Sequence, residues 1–375
     1  MIPFNKPYYS GKEKSYIAKA METKILTGDM KMIRDCESFL ESKYHFKKVF
    51  LTNSCTMALE ISALVVDIQP GDEVILPSYT YVSTANAFAL RGAKLIFTDS
   101  KSNHPNMDEK LIESLITDKT KAIVLVHYAG VSCDFSMIQN LAKKHNLFII
   151  EDAAQCIDSY YLDSPIGTLG DIACFSFHET KNIHCGEGGF IAINNPTLLE
   201  KTEIIRNKGT NRTAFARGEV AKYEWIDLGF SSMPSAISAA FLFSQLEKIE
   251  KVQKKRLRLW KNYFKILKPL QKSKQIQLPF IPKYASNNAH IFYFICSSEI
   301  ERNDLISFLD SNGIQAVFHY QSLHASPYYK SKHDNRTLAN ADKYSQCLVR
   351  MPLFYDLKTD EQEFICSKVI EFYSK

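Results

Sequence analysis

The chain predicts an α/β fold: a mostly parallel central sheet with helices on both faces, followed by a smaller α+β C-terminal domain. Three observations predict it. Apolar runs of strand length alternate with stretches of helical spacing over residues 48–193, which is the beat of a βαβ series. Polar clusters follow several of those runs, at what would be the carboxyl edge of the sheet, where open α/β folds keep their chemistry. Beyond Pro234 the beat changes to long helical stretches and then to short mixed elements.

Residues 48–52 form a short apolar strand, and the helical spacing of 55–66 starts at Asn53-Ser-Cys-Thr56, whose hydroxyls can cap it. Strand 73–76, helix 82–90 and strand 94–98 come next, then helix 108–116 with an acidic start at Asp108. Strand 121–126, helix 135–145 and strand 147–150 continue the series. An apolar run at Ile172-Ala-Cys-Phe precedes Ser176, and Gly186-Glu-Gly-Gly189 leads into strand 190–193 and helix 198–205. Helices 236–249 and 254–267 bridge to the second domain, which takes strand 290–296, helix 304–311, strand 315–318 and helix 359–372. The expected division is a large domain over 1–240 and the bridging helices with the small domain over 241–375.

The 375 residues are 45% hydrophobic and 23% charged, the balance of a globular enzyme, with a formal net charge of +5. The basic stretch over 251–258 is short and reads as a solvated helix face, which argues against nucleic-acid binding. No run approaches the ~20 apolar residues of a membrane span, and Met1-Ile2-Pro3-Phe4-Asn5 opens neither a basic nor an apolar leader, so a cytoplasmic location is expected. The nine cysteines form no Cys-x-x-Cys pair. They read as free thiols in a reducing compartment, several in apolar runs, and no metal site is expected.

Glu151-Asp-Ala-Ala-Gln155 and Ser176-Phe-His-Glu-Thr-Lys181-Asn182 each follow an apolar strand, so they bring a carboxylate and a primary amine to one sheet edge. Pyridoxal 5'-phosphate (PLP) needs a lysine to hold it as a Schiff base and an acidic group to keep its ring nitrogen protonated. Lys181 and Asp152 fit those roles. Desolvation would make the lysine amine nucleophilic and able to move protons. At the start of the 55–66 helix, Ser54, Cys55 and Thr56 can cap the helix or bind a phosphate, and Ser176 adds a second hydroxyl. Tyr81, in Pro77-Ser-Tyr-Thr-Tyr81, is the ring expected to stack on the cofactor. Gln155 reaches the ring hydroxyl or is a surface amide, and His178 is a proton shuttle or a satisfied half-buried histidine.

These segments, with Val82-Ser-Thr-Ala-Asn86 and Gly186-Glu-Gly-Gly189, resemble the DegT-type sugar-nucleotide aminotransferases along nearly the whole chain. The resemblance implies fold type I PLP architecture, a cycle between PLP and pyridoxamine 5'-phosphate, and a homodimer with the active site between subunits. Within that family Asp152 corresponds to the partner of the ring nitrogen, Gln155 to the ring-hydroxyl contact, Thr56 and Ser176 to phosphate contacts and Tyr81 to the stacking ring. Ile2-Pro-Phe-Asn5, Ile68-Gln-Pro-Gly-Asp-Glu-Val74, His127-Tyr-Ala-Gly130, Lys208-Gly-Thr-Asn-Arg212, Asn288-Ala-His290, His319-Tyr320 and Leu323-His324 narrow the resemblance to a branch using L-glutamate and a dTDP-linked 4-keto sugar. Lys208, Asn211, Arg212, His319 and Tyr320 are the candidates for sugar and nucleotide contacts.

Where many family members place an asparagine on the partner's phosphate, Gly229-Phe-Ser-Ser-Met233-Pro234 offers methionine, with Ser231 or Ser232 as possible replacements. Three other readings compete: an aminotransferase for another keto sugar, a sugar dehydratase of the same fold, and a binding protein that has lost catalysis. The dehydratase branch replaces the cofactor lysine with histidine, and the presence of Asp152, Gln155 and Lys181 together speaks for catalysis.

Overall fold

The alternating beat folds into a seven-stranded sheet, seen in a computed structural model that describes residues 1–27 and 31–374. Two helices, α1 (Glu13–Glu22) and α2 (Lys31–Tyr44), precede it. Then follow β1 (Val49–Thr52), α3 (Cys55–Val65), β2 (Glu73–Pro77), α4 (Val82–Ala89), β3 (Lys94–Thr98), β4 (Thr120–Val126), α5 (Phe135–His145) and β5 (Phe148–Asp152). A short pair, β6 (Tyr160–Tyr161) with β7 (Ser164–Pro165), leads to β8 (Ile172–Ser176), β9 (Gly189–Ile193), α6 (Leu199–Arg206) and α7 (Arg212–Ala216). The sheet order is β1-β9-β8-β5-β4-β2-β3. Within it β9 runs antiparallel to both neighbours and the other pairs are parallel.

Strand alternation sorts the core into two layers. Val74, Leu76, Ala122, Val124, Ile150, Ile172 and Cys174 pack with α3 and α4, through side chains such as Ala58, Leu59, Ala85 and Phe88. Their neighbours Ile75, Ile123, Leu125, Ile149, Ala173 and Phe175 pack on the other face against Ile33, Cys36 and Leu40 of α2 and Phe135, Ile138 and Leu141 of α5. Burying both faces explains why the strands read as continuous apolar runs.

The second half contains α8 (Ala236–Leu246), the long α9 (Ile249–Lys272), β10 (Phe292–Ile295), α10 (Glu299–Ser311), α11 (Ala339–Cys347), β11 (Leu348–Met351) and α12 (Thr359–Tyr373). Helix α9 is the bridge: Ile249 and Val252 belong to the layer under the sheet, while Leu259, Trp260, Tyr263 and Leu267 build a separate core with Phe292, Phe294, Val349 and Met351. The stacked rings of Tyr263 and Phe292, 4.8 Å apart, lie in that core.

Two expected elements are absent. Residues 108–116 form two short 3-10 turns, Glu109–Leu111 and Glu113–Leu115, rather than a helix. Asp108 Oδ1 caps only the Lys110 N–H at 3.2 Å, and Ile116 is already extended at φ −76° and ψ 130°, because the chain must enter β4 at Thr120. Residues 315–318 do not form a strand. Gln315 N donates to Ile2 O at 3.0 Å while Val317 meets Arg350 in an isolated bridge, so two partners share the segment, one residue each. β11 takes the place beside β10 instead. No helix among the described residues is long and apolar enough to cross a membrane.

Candidate active site

The carboxyl ends of β5 and β8 and the starts of α3 and α4 open into a cavity of about 500 Å³. All eight residues expected at a cofactor line it: Ser54, Cys55, Thr56, Tyr81, Asp152, Gln155, Ser176 and Lys181. Alternation decides which of two adjacent carboxylates arrives there. Asp152 shares the face of Ile150 and reaches α4, where Thr84 Oγ1 donates to its Oδ2 at 2.6 Å and Ala154 N donates to Oδ1 at 3.1 Å. Glu151 points to the other face. It accepts the Gly167 and Gly170 amides at 2.9 and 2.7 Å and meets His127 Nε2 at 3.1 Å.

Burial is the largest influence on both candidate chemical groups. It raises the Asp152 carboxyl above its ordinary pKa, against the lowering effects of the Thr84 and Ala154 hydrogen bonds and the nearby Lys181. It lowers the Lys181 amine, with Cys55 and Asp152 pulling the other way. A buried carboxylate that lacks a cation at hydrogen-bond distance among the described residues and an amine with depressed basicity form a fitting pair for a protonated pyridine ring and its aldehyde.

The helix start supplies the third requirement. Ser54 caps α3 by accepting the Met57 N–H at 3.1 Å, which leaves its own O–H free to donate, and Thr56 Oγ1 donates to Ser83 Oγ at 2.9 Å. With Cys55 and Thr56 they present amides and hydroxyls at the positive end of an 11-residue helix, a site suited to a phosphate. Capping therefore leaves the Ser54 O–H available to a phosphate. The helix start rests directly on β9: a Cβ at Gly189 would lie 2.6 Å from Cys55 N and 2.5 Å from Phe175 O.

Tyr81 is 57% exposed, with its ring tilted 6.0 Å from that of Tyr320, so a face remains open for a flat ligand. Gln155 is more committed than the sequence suggested. Its Oε1 accepts the Ala129 N–H at 2.7 Å and its Nε2 donates to Tyr320 OH at 2.9 Å, leaving one N–H for a ligand. His178 lines the cavity, with Nδ1 bonded to Thr180 Oγ1 at 2.9 Å and Nε2 3.5 Å from Glu187.

Of the substrate candidates, the structure brings two to the cavity. His319 and Tyr320 line it, and His319 shares a 2.7 Å hydrogen bond with Tyr128 OH. Lys208, Asn211 and Arg212 lie elsewhere: Asn211 borders a second hollow with Glu203 and Arg217, and its Oδ1 accepts the Glu224 N–H at 2.7 Å. Ser232 Oγ is buried and donates to Arg206 O at 3.0 Å, whereas Ser231 is exposed. The cavity also holds residues that sequence reasoning did not assign to the site, among them Phe4, Asn5, His290 and Arg350. Phe4, Asn5 and His290 lay in quoted motifs; Arg350, inside an apolar run, gave no signal.

The sequence matches the model of the DegT/DnrJ/EryC1/StrS aminotransferase family over residues 7–370. Among solved structures, the chain is similar to DesV of S. venezuelae in complex with a ketimine intermediate, at 26% identity and TM-score 0.89, covering 100% of this chain and 99% of that one. It is similar to PseC of Helicobacter pylori, an aminotransferase of pseudaminic acid biosynthesis, at 25% identity and TM-score 0.89 with the same coverage of 100% and 99%. A candidate sugar aminotransferase of Streptococcus pneumoniae, in its PMP form, shares the fold at 24% identity and TM-score 0.92, again covering 100% and 99%.

Proposed function

The chain belongs to the DegT/DnrJ/EryC1/StrS aminotransferase family, and from that premise we propose that it transfers the amino group of L-glutamate to the C4 ketone of dTDP-4-dehydro-6-deoxy-D-glucose. The products would be dTDP-4-amino-4,6-dideoxy-D-galactose and 2-oxoglutarate, supplying cell-surface polysaccharide such as enterobacterial common antigen. The coarser statement stands by itself: the protein is a PLP-dependent sugar aminotransferase. The observation that carries the reading is the convergence of Lys181, Asp152 and the α3 start on one cavity.

When bound, PLP supplies an aldehyde that takes up an amine and a ring that spreads negative charge. In our reading Asp152 holds the ring nitrogen's proton, the hydroxyls of Ser54 and Ser176, and that of Thr56 once turned from Ser83, would hold the phosphate with the α3 amides, and Tyr81 covers one ring face. Lys181 Nζ anchors the cofactor, then takes the proton from the amino acid's Cα and later returns one to the sugar's C4. Delivery from one side of C4 sets the configuration of the new amine. His319 and Tyr320 line the space left for the sugar.

We further propose a homodimer acting in the cytoplasm, in which Lys208, Asn211 and Arg212 serve the partner's cavity. Supporting this, Trp225, Tyr223, Ile226 and Leu228 are exposed on the loop that follows them, at 77%, 54%, 51% and 53%. The test is an absorbance scan of the PLP-loaded protein with L-glutamate and then the dTDP keto sugar. Loss of the Lys181-bound cofactor band and its return with the sugar, with the 4-amino sugar recovered, is the expected result. A glutamate response that this sugar fails to reverse would shift the substrate to another keto sugar, and no response to any amino acid would remove the aminotransferase reading.

A further inference from the structure

We propose that Arg350 receives the carboxylate of the amino donor, so that the cavity selects an α-amino acid over a simple amine; the inference rests on the aminotransferase reading above. Arg350 is the third residue of β11, paired with Tyr293 of β10. Its neighbours Val349 and Met351 point into the C-terminal core, so alternation sends Arg350 the other way, where it lines the cavity.

Its guanidinium is held but not neutralised. Nη2 and Nε donate to the single carbonyl of Phe318 at 3.0 and 3.3 Å, and the ring of Phe4 lies 4.6 Å from its central carbon. A guanidinium has five N–H donors, so about three remain, including the Nη1 side that can grip a carboxylate through two parallel bonds. Among the described residues no carboxylate lies within salt-bridge distance of it. Asp152, on the same cavity, is already bonded to Thr84 and Ala154. A half-buried cation in the cavity wall, with a preset orientation and no counter-charge among the described residues, is built to meet an anion brought by a ligand.

A carboxylate fits better than a diphosphate. The donor's nitrogen must reach the group held at Lys181, and its α-carboxylate is one bond from the reacting carbon. A nucleotide's diphosphate, attached at C1, stands across the sugar ring from a C4 ketone.

The test uses the PLP-loaded protein and its Arg350→Gln and Arg350→Lys variants, with the two half-reactions followed separately by cofactor absorbance. Losing a charge-assisted bidentate contact predicts that Arg350→Gln raises the half-saturating L-glutamate concentration roughly 10- to 100-fold. Binding of glutarate, an unreactive dicarboxylate, should weaken in parallel, with Arg350→Lys intermediate and dTDP affinity within about twofold of wild type. Unchanged glutamate and glutarate behaviour overturns the proposal, and so does a selective loss of dTDP binding, which would assign the cation to the diphosphate. Should both variants fail to load PLP, the wild type decides: glutarate is expected to shield the Arg350 peptide from phenylglyoxal, and no shielding overturns the assignment. A wild type inert to every amino acid would instead strike the aminotransferase reading, and this proposal with it.

Discussion

On the sheet side of the cavity, Asp152, Ser176 and the start of α3 come from strand ends within one ladder. The facing side collects Phe4, Asn5, His319, Tyr320 and Arg350 from stretches far apart in the chain. The sheet side is largely bonded within itself: the Asp152 oxygens and Thr56 have hydrogen-bond neighbours, and Ser54 accepts the Met57 N–H while keeping its own O–H. The facing side leaves polar groups unspent, with three guanidinium N–H groups on Arg350 and one amide N–H on Gln155, which leans toward it through Tyr320. Under the proposed function, the difference becomes a division of labour in which one side would keep the cofactor and the other would be free to read substrates.

The strongest way to break that division is Lys181→Ala. Turnover should fall roughly 10³-fold or more while the fold persists, as judged by an unchanged circular-dichroism spectrum. Transamination near the wild-type rate would remove Lys181 from its role.

Asp152→Asn is expected to cost roughly 10²- to 10³-fold in turnover, because the ring nitrogen loses its counter-charge. The same variant carries a pH signature. Burial raises the Asp152 carboxyl, so the folded state favours its protonated form. The stability this group contributes is complete below the unfolded value near ~4 and is lost as pH rises through the raised folded value. Without PLP the variant should therefore melt above wild type at pH 7, the gap closing below about pH 4. With PLP bound the order should reverse. A variant that melts below wild type at pH 7 without PLP would show that the carboxylate's charge is already compensated by the protein.

The smallest expected effect sharpens the boundary between the sides. Tyr81→Ala should weaken PLP binding about 3- to 10-fold, and Tyr81→Phe should restore it, since the proposed role uses the ring face and not the hydroxyl. Equal losses in both variants, measured by PLP titration, would transfer the role to the hydroxyl.

The same contrast accounts for what was legible in the sequence. Asp152 and Lys181 could be read because a strand's alternation and its carboxyl end are local properties, and β5, β8 and the α3 entry lie where the apolar runs placed them. α2 went unread although Ile33, Cys36, Leu40 and Tyr44 keep helical spacing, since the buried Glu37 sits on the same face and accepts the Leu51 N–H at 2.8 Å. Arg350 could not be read at all. In Leu348-Val-Arg-Met351 it looks like the solvent-facing residue of an edge strand, and only the packing of β10 and β11 against the sheet domain turns that face into a cavity wall. The misplaced strand over 315–318 has the same origin, because its backbone partners, Ile2 and Arg350, are both remote in sequence.

The contact between Gly189 and the first turn of α3 leaves no clearance for even a methyl group. Position 189 thus acts as the datum surface from which the placement of the helix start is gauged. Any side chain there would shift the origin of that measurement rather than remove a reactive group. During laboratory evolution of this scaffold, drift at 189 should register as a need for more PLP in the medium long before it registers as altered choice of sugar.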